Sequence, residues 1–144
     1  MKKHAAVALG VLFAFVLPAF AQEHFSEGPI WQVTLIRVKP TQMDNYLTTL
    51  QERTKPIYEE EKKAGTILDY KVFLNTTQHD PQDWDMAIAV QFKNFGALDG
   101  LTAKMEMVRD KVFGSKQAAQ QLGEKRVEMR EIVSVMLLRE IMLK

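Results

Sequence analysis

Between Trp31 and Lys39 apolar side chains occupy both parities, with Trp31, Val33 and Leu35 on one face and Ile36 and Val38 on the other. This pattern predicts a strand with apolar groups on both sides of its sheet. Pro40 closes it. Thr41-Gln42-Met43-Asp44 then supplies a helix start, with Thr41 as N-cap and an acid three residues on. Met43, Leu47 and Leu50 form one stripe of that helix. Pro56, which lacks a backbone donor and clashes with the preceding turn, is expected to kink or divide it. Gly65 ends it. Ile67 to Asn75 predicts a second strand, with Leu68, Tyr70, Val72 and Leu74 alternating, and Thr76 to Asp83 a polar loop. The third strand is the clearest: Trp84, Met86, Ile88, Val90 and Phe92 on one face, Ala87 and Ala89 on the other. Asn94 to about Lys111 reads as helical despite Gly96 and Gly100. Phe113-Gly114 breaks the pattern, Ser115 caps a further helix to about Met129, and Ile132 to Met142 is the last strand.

The order is βαββαβ, which predicts the α+β class: a ferredoxin-like sandwich with a four-stranded antiparallel sheet and its helices on one face. Ile36, Val38, Ile67 and Phe73 are assigned to the face away from the helices. Left in water, each would forgo on the order of 1.5–3 kcal/mol of burial. Small Ala87 and Ala89 let a second sheet approach, so the expected state is a homodimer packed through the open sheet face, a dimeric α/β barrel.

Residues 1–21 read as a secretory signal. Lys2, Lys3 and His4 form a basic start, Ala5 to Leu17 an apolar run, and Ala19-Phe20-Ala21 a small-x-small cleavage site. A membrane span needs roughly 20 apolar residues, and Pro18 followed by Gln22-Glu23-His24 stops this run early. Cleavage after Ala21 predicts a periplasmic or secreted protein with no membrane association afterwards. Residues 22–29 are expected to be a flexible lead-in and 30–144 a single domain. Removing 21 of 144 residues leaves 123, enough to bury a core without staples, and the absence of cysteine means that the core alone must hold the fold. Loss of two lysines leaves 17 basic against 18 acidic side chains. No basic cluster suggests nucleic acid, and Glu59-Glu60-Glu61-Lys62-Lys63 reads as a solvated helix end with Glu59 and Lys63 four apart.

Trp31-Gln32-Val33 through Val38-Lys39-Pro40, Asp44-Asn45-Tyr46-Leu47, and Lys63-Ala64-Gly65 leading into Ile67-Leu68-Asp69-Tyr70 together resemble the dimeric α/β-barrel superfamily. The layout is similar to NIPSNAP-type and antibiotic-biosynthesis-monooxygenase-like members: a strand, a Pro-Gly-type turn, a helix with a Tyr-Leu pair, and a second strand after a glycine. Thr41 stands where many members have glycine. The resemblance covers the element order of the whole mature chain and short stretches of its residues. It implies the fold, in a superfamily of cofactor-free oxygenases, haem-binding proteins, isomerase-like enzymes and members of unknown role.

Candidate chemistry is sparse. His79, in the loop between the second and third strands, is the one histidine placed to act as a general base or haem ligand, although a solvated loop histidine is the simpler reading. Asp80, Asp83 and Asp85 lack the glycine turn and bidentate Glu of a calcium loop, and the methionines sit among ordinary apolar residues as core filler. No metal site is expected. Tyr46, Tyr58 and Tyr70 fall near the seam of helix and sheet, where buried hydroxyls need partners and can orient a planar ligand. Trp31 and Trp84, both at strand starts, can stack on such a ligand, and Arg37, which interrupts the first strand's alternation, can pair with an anionic group. These residues predict a protein that binds a small apolar or aromatic molecule between sheet and helices. The sequence calls for no cofactor and leaves haem open. Two alternatives stand beside this reading: a cofactor-independent oxygenase or isomerase-like enzyme using His79 or a tyrosine, and a structural module without ligand.

Overall fold

The computed structural model describes residues 24–77 and 80–144; the expected signal segment and His79 lie outside them. The elements are β1 (Phe25–Val38), α1 (Met43–Thr49), a π-helical segment (Leu50–Thr54), α2 (Lys55–Lys63), β2 (Asp69–Leu74), β3 (Met86–Phe92), a 3₁₀ turn (Phe95–Leu98), α3 (Leu101–Phe113), α4 (Lys116–Met129) and β4 (Arg130–Leu143). The strands form one antiparallel sheet in the order β2-β3-β1-β4. This is the ferredoxin-like α+β sandwich that the element order predicts.

β1 is longer than expected. Phe25, Ser26 and Glu27 pair with Leu143, Met142 and Ile141, and the register shifts before Ile30. Residues 25–29 therefore belong to the domain instead of forming a loose lead-in. The shift falls at Gly28-Pro29, where proline cannot donate to a ladder and a Cβ on Gly28 would approach the Glu140 carbonyl to 3.1 Å.

Pro56 divides the first helix. The Lys55 amide reaches back to Leu50 O, and the widened turn lets a residue without an N–H begin α2. Gly65, at φ 72°, ends α2 with paired bonds, Thr66 N to Glu61 O at 2.9 Å and Gly65 N to Lys62 O at 3.0 Å. Thr41 is not the N-cap: it has φ 67°, and Gln42 holds the cap position without a side-chain bond. Gly100, at φ 65°, separates the 3₁₀ turn from α3, so the expected single helix is two pieces. Ser115 caps α4 as predicted, accepting from Ala118 N at 3.2 Å.

Sidedness differs from expectation. Ile36, Val38 and Ile67 lie beneath the helices in the core with Ile30, Tyr46, Leu50, Met86, Ile88, Val90 and Phe92. Cross-strand partners share a face, so the open face carries Trp31, Val33 and Leu35 opposite Gln91, Ala89 and Ala87 of β3 and opposite Leu138, Met136 and Ser134 of β4, with Phe73 beside Ala87. Of the four residues assigned to this face, Phe73 alone belongs there. With both parities apolar in Val33–Val38, alternation marks two faces without saying which one the helices cover.

Candidate functional site

The second, smaller cluster of the core, Ile57, Val108 and Leu122, joins α2, α3 and α4. Where α1, the π segment and α2 meet the β2 edge, they leave a cleft of about 300 Å³ lined by Leu47, Leu50, Gln51, Thr54, Lys55, Tyr58, Tyr70 and Val72. Tyr58 and Tyr70 stand with ring centroids 4.8 Å apart and planes tilted by 35°, within the range of favourable aromatic pairs. Leu47 and Val72 are 37% and 45% exposed, so the lining is apolar and reachable from solvent.

Each tyrosine is held in its neutral form. Burial raises the Tyr70 hydroxyl to about 12, helped by Glu59, which accepts a hydrogen bond from it at 2.7 Å. Burial likewise pushes Tyr46 and Tyr58 up, against the pull of nearby arginines. Near neutral pH these phenols are hydrogen-bond donors, not bases.

Behind the cleft lies a polar cluster that sequence reasoning missed. Arg126 Nη2 donates to the buried Thr54 hydroxyl at 2.6 Å, and the Arg130 guanidinium lies 5.6 Å from the Tyr46 ring centre. The fully buried Tyr46 hydroxyl, both Glu61 carboxylate oxygens and Arg126 Nε have no hydrogen-bond partner. Burial raises Glu61 to about 7, opposed by Arg109. A signal was present: Leu50, Thr54, Ile57 and Glu61 are all buried and lie four, three and four residues apart, the spacing of one helical face. The charged run around Glu61 masked it. Nor does Glu59 pair with Lys63, since it takes the Tyr70 hydroxyl, while Lys63 lies 3.7 Å from Glu60.

Of the predicted binding residues, the structure gathers Tyr46, Tyr58 and Tyr70 in one region. Arg37 stands elsewhere, at one end of the open face, 3.4 Å from Glu131 and donating to the Gln82 and Asp83 carbonyls. Trp84 precedes β3, half-buried, with its carbonyl accepting from Asn75 Nδ2 at 2.9 Å. Tyr70 pairs with Val90, and the strand from Met86 to Val90 spans about 13 Å, so Trp84 lies at the other end of the sheet. The polar ends of the open face are similarly occupied. Trp31 Nε1 donates to Glu140 at 2.9 Å, and Lys71 lies 5.2 Å over the Trp31 ring.

No protein-family profile matches the chain, and no curated protein does. Among solved structures it is similar to HapK from Hahella chejuensis, with a TM-score of 0.53 and 12% identity over 77% of this chain and 91% of that one. It is also similar to a dimeric protein of unknown function and ferredoxin-like fold from Bacteroides fragilis, with a TM-score of 0.46 and 16% identity over 82% and 99%. A dimeric ferredoxin-like protein from an uncultured marine organism follows, with a TM-score of 0.45 and 12% identity over 83% and 96%. At such identities the likeness speaks for the fold alone, and the HapK likeness is the one that bears on it.

Proposed function

We propose that this chain is a periplasmic or secreted homodimer of the dimeric α/β-barrel kind, related to NIPSNAP-type and antibiotic-biosynthesis-monooxygenase-like proteins. In this reading it binds a small apolar or aromatic molecule in the tyrosine cleft. The observation that carries the binding role is the Tyr58–Tyr70 pair walling an apolar, solvent-reachable cleft of about 300 Å³, at the lower end of the size range of small-molecule pockets. A planar guest gains area against Leu47, Leu50 and Val72 and an aromatic face at Tyr70. The dimer rests on the open sheet face, and export on the basic, apolar and small-x-small order of residues 1–21.

The test is calorimetric titration of 2-naphthol, a planar aromatic probe, into the mature chain. Tyr70→Ala is expected to weaken binding at least tenfold, about 1.4 kcal/mol, and Tyr70→Phe to retain it, because the ring and not the hydroxyl forms the wall. Equal affinity in Tyr70→Ala would sink the assignment.

A further inference from the structure

A second cleft of about 300 Å³ lies on the other side of α2, between α2, α3 and α4. Its floor is apolar, formed by Ile57, Phe113 and Leu122, and Arg109 and Arg126 stand in its wall. With Arg130 close by, three guanidiniums gather here, and Arg109 and Arg130 both act on Arg126 as like charges. None of the three takes part in the ion pairs found among the described residues. Like charges held together in a partly buried site repel, and the usual remedy is an anion. Arg126 has one nitrogen committed to Thr54, while its buried Nε has no partner. A buried donor left unmatched costs about 1–3 kcal/mol, and the planar fork of a guanidinium suits the two oxygens of a carboxylate.

The acidic groups do not cancel this charge. Glu106 and Asp110 line the cleft together with Lys116, Arg109 and Arg126, so the lining carries three cations against two anions. Glu106 is exposed to solvent, and Glu61, which feels the Arg109 charge, is not part of the lining. The volume corresponds to about ten non-hydrogen atoms at roughly 30 Å³ each.

We propose that the cleft between α2, α3 and α4 binds a small organic carboxylate with an apolar body, its anionic end on Arg109 and Arg126 and its body on Ile57, Phe113 and Leu122. This site is separate from the tyrosine cleft and does not depend on it.

Octanoate, with a carboxylate on a seven-carbon chain, is the probe. Calorimetric titration of the mature chain is expected to show saturable binding at one site, with 1-octanol at least tenfold weaker and inorganic phosphate failing to compete. Arg109→Gln is expected to weaken octanoate at least tenfold. Arg126→Lys, which keeps the charge and removes the fork, is expected to weaken it as well, and Tyr70→Ala to leave it unchanged. Absence of binding overturns the proposal, as does equal affinity for 1-octanol, effective competition by phosphate, or an unchanged Kd in Arg109→Gln. Loss of octanoate binding in Tyr70→Ala would place the probe in the other cleft and overturn it too. Far-UV circular dichroism of each variant confirms that a lost signal is not lost fold.

Discussion

Glu61 is fully buried, and neither of its carboxylate oxygens has a hydrogen-bond partner. Burial disfavours the charged form, and the folded-state value of about 7 stands above the ordinary 4.5. The sign of the linkage follows. Below 4.5 the group is neutral both folded and unfolded, and it adds no pH dependence. As pH rises toward 7, the unfolded chain releases its proton while the native state keeps it, so stability falls, and the full penalty remains above 7. Glu61→Gln removes the titration. Thermal unfolding is expected to show the variant more stable than wild type at pH 8, by up to about 3 kcal/mol, with the gap closing toward pH 4, below the ordinary value of 4.5. A constant gap across that range would mean that Glu61 is ionised in the native state. Residues with a visible periodic place, such as Tyr70 on its strand, were legible in the sequence. Glu61, Arg126 and Arg130 were not, because a charged side chain in a charged run looks solvated until a second helix covers it.

The junction of β1 and α1 is a tight turn in which Gln42 N bonds to Lys39 O at 3.0 Å, with Pro40 and Thr41 at its centre. Proline presets the first central position, and the second needs positive φ, which Thr41 supplies at 67°. A β-branched residue there is strained by about 1–2 kcal/mol. Thr41→Gly is therefore expected to raise the stability from urea unfolding by about 1 kcal/mol without changing the slope. A lower midpoint would refute the strain. The resemblance had marked this position as a departure from glycine, and the backbone shows what the departure costs. The π segment ahead of Pro56 is a comparable case. The sequence announced a division of the helix, while the widened turn that places Thr54 under Arg126 depends on packing against α4. Ser115 was legible because its cap is local, a side chain bonding an amide three residues on.

For the whole molecule, the open face is the dominant question. Phe73 and Leu138 are each 48% exposed there, around an apolar centre of Val33, Leu35, Ala87, Ala89 and Met136, with ion pairs and hydrogen bonds at both ends. An apolar centre with a polar rim is the anatomy of a protein interface. The mature chain is expected to elute as a dimer at micromolar concentration, with a Tm that rises with protein concentration. Leu138→Glu should shift it to monomer with its circular dichroism spectrum intact, since the side chain is half-exposed in the single chain. A wild-type monomer with concentration-independent melting would remove the interface.

Local chemistry and periodicity determined the element order, the helix stops at Gly65 and Gly114, the cap at Ser115 and the presence of two apolar sheet faces. Each of these depends on residues a few positions apart, and so can be read along the chain. Only the tertiary structure decided which face the helices cover, that residues 25–29 join the sheet, and that three arginines gather, one of them close to a buried glutamate. Those outcomes depend on side chains dozens of residues apart coming into contact. In β1 both parities were already apolar, so burying either face satisfied the local pattern, and helix packing settled the choice.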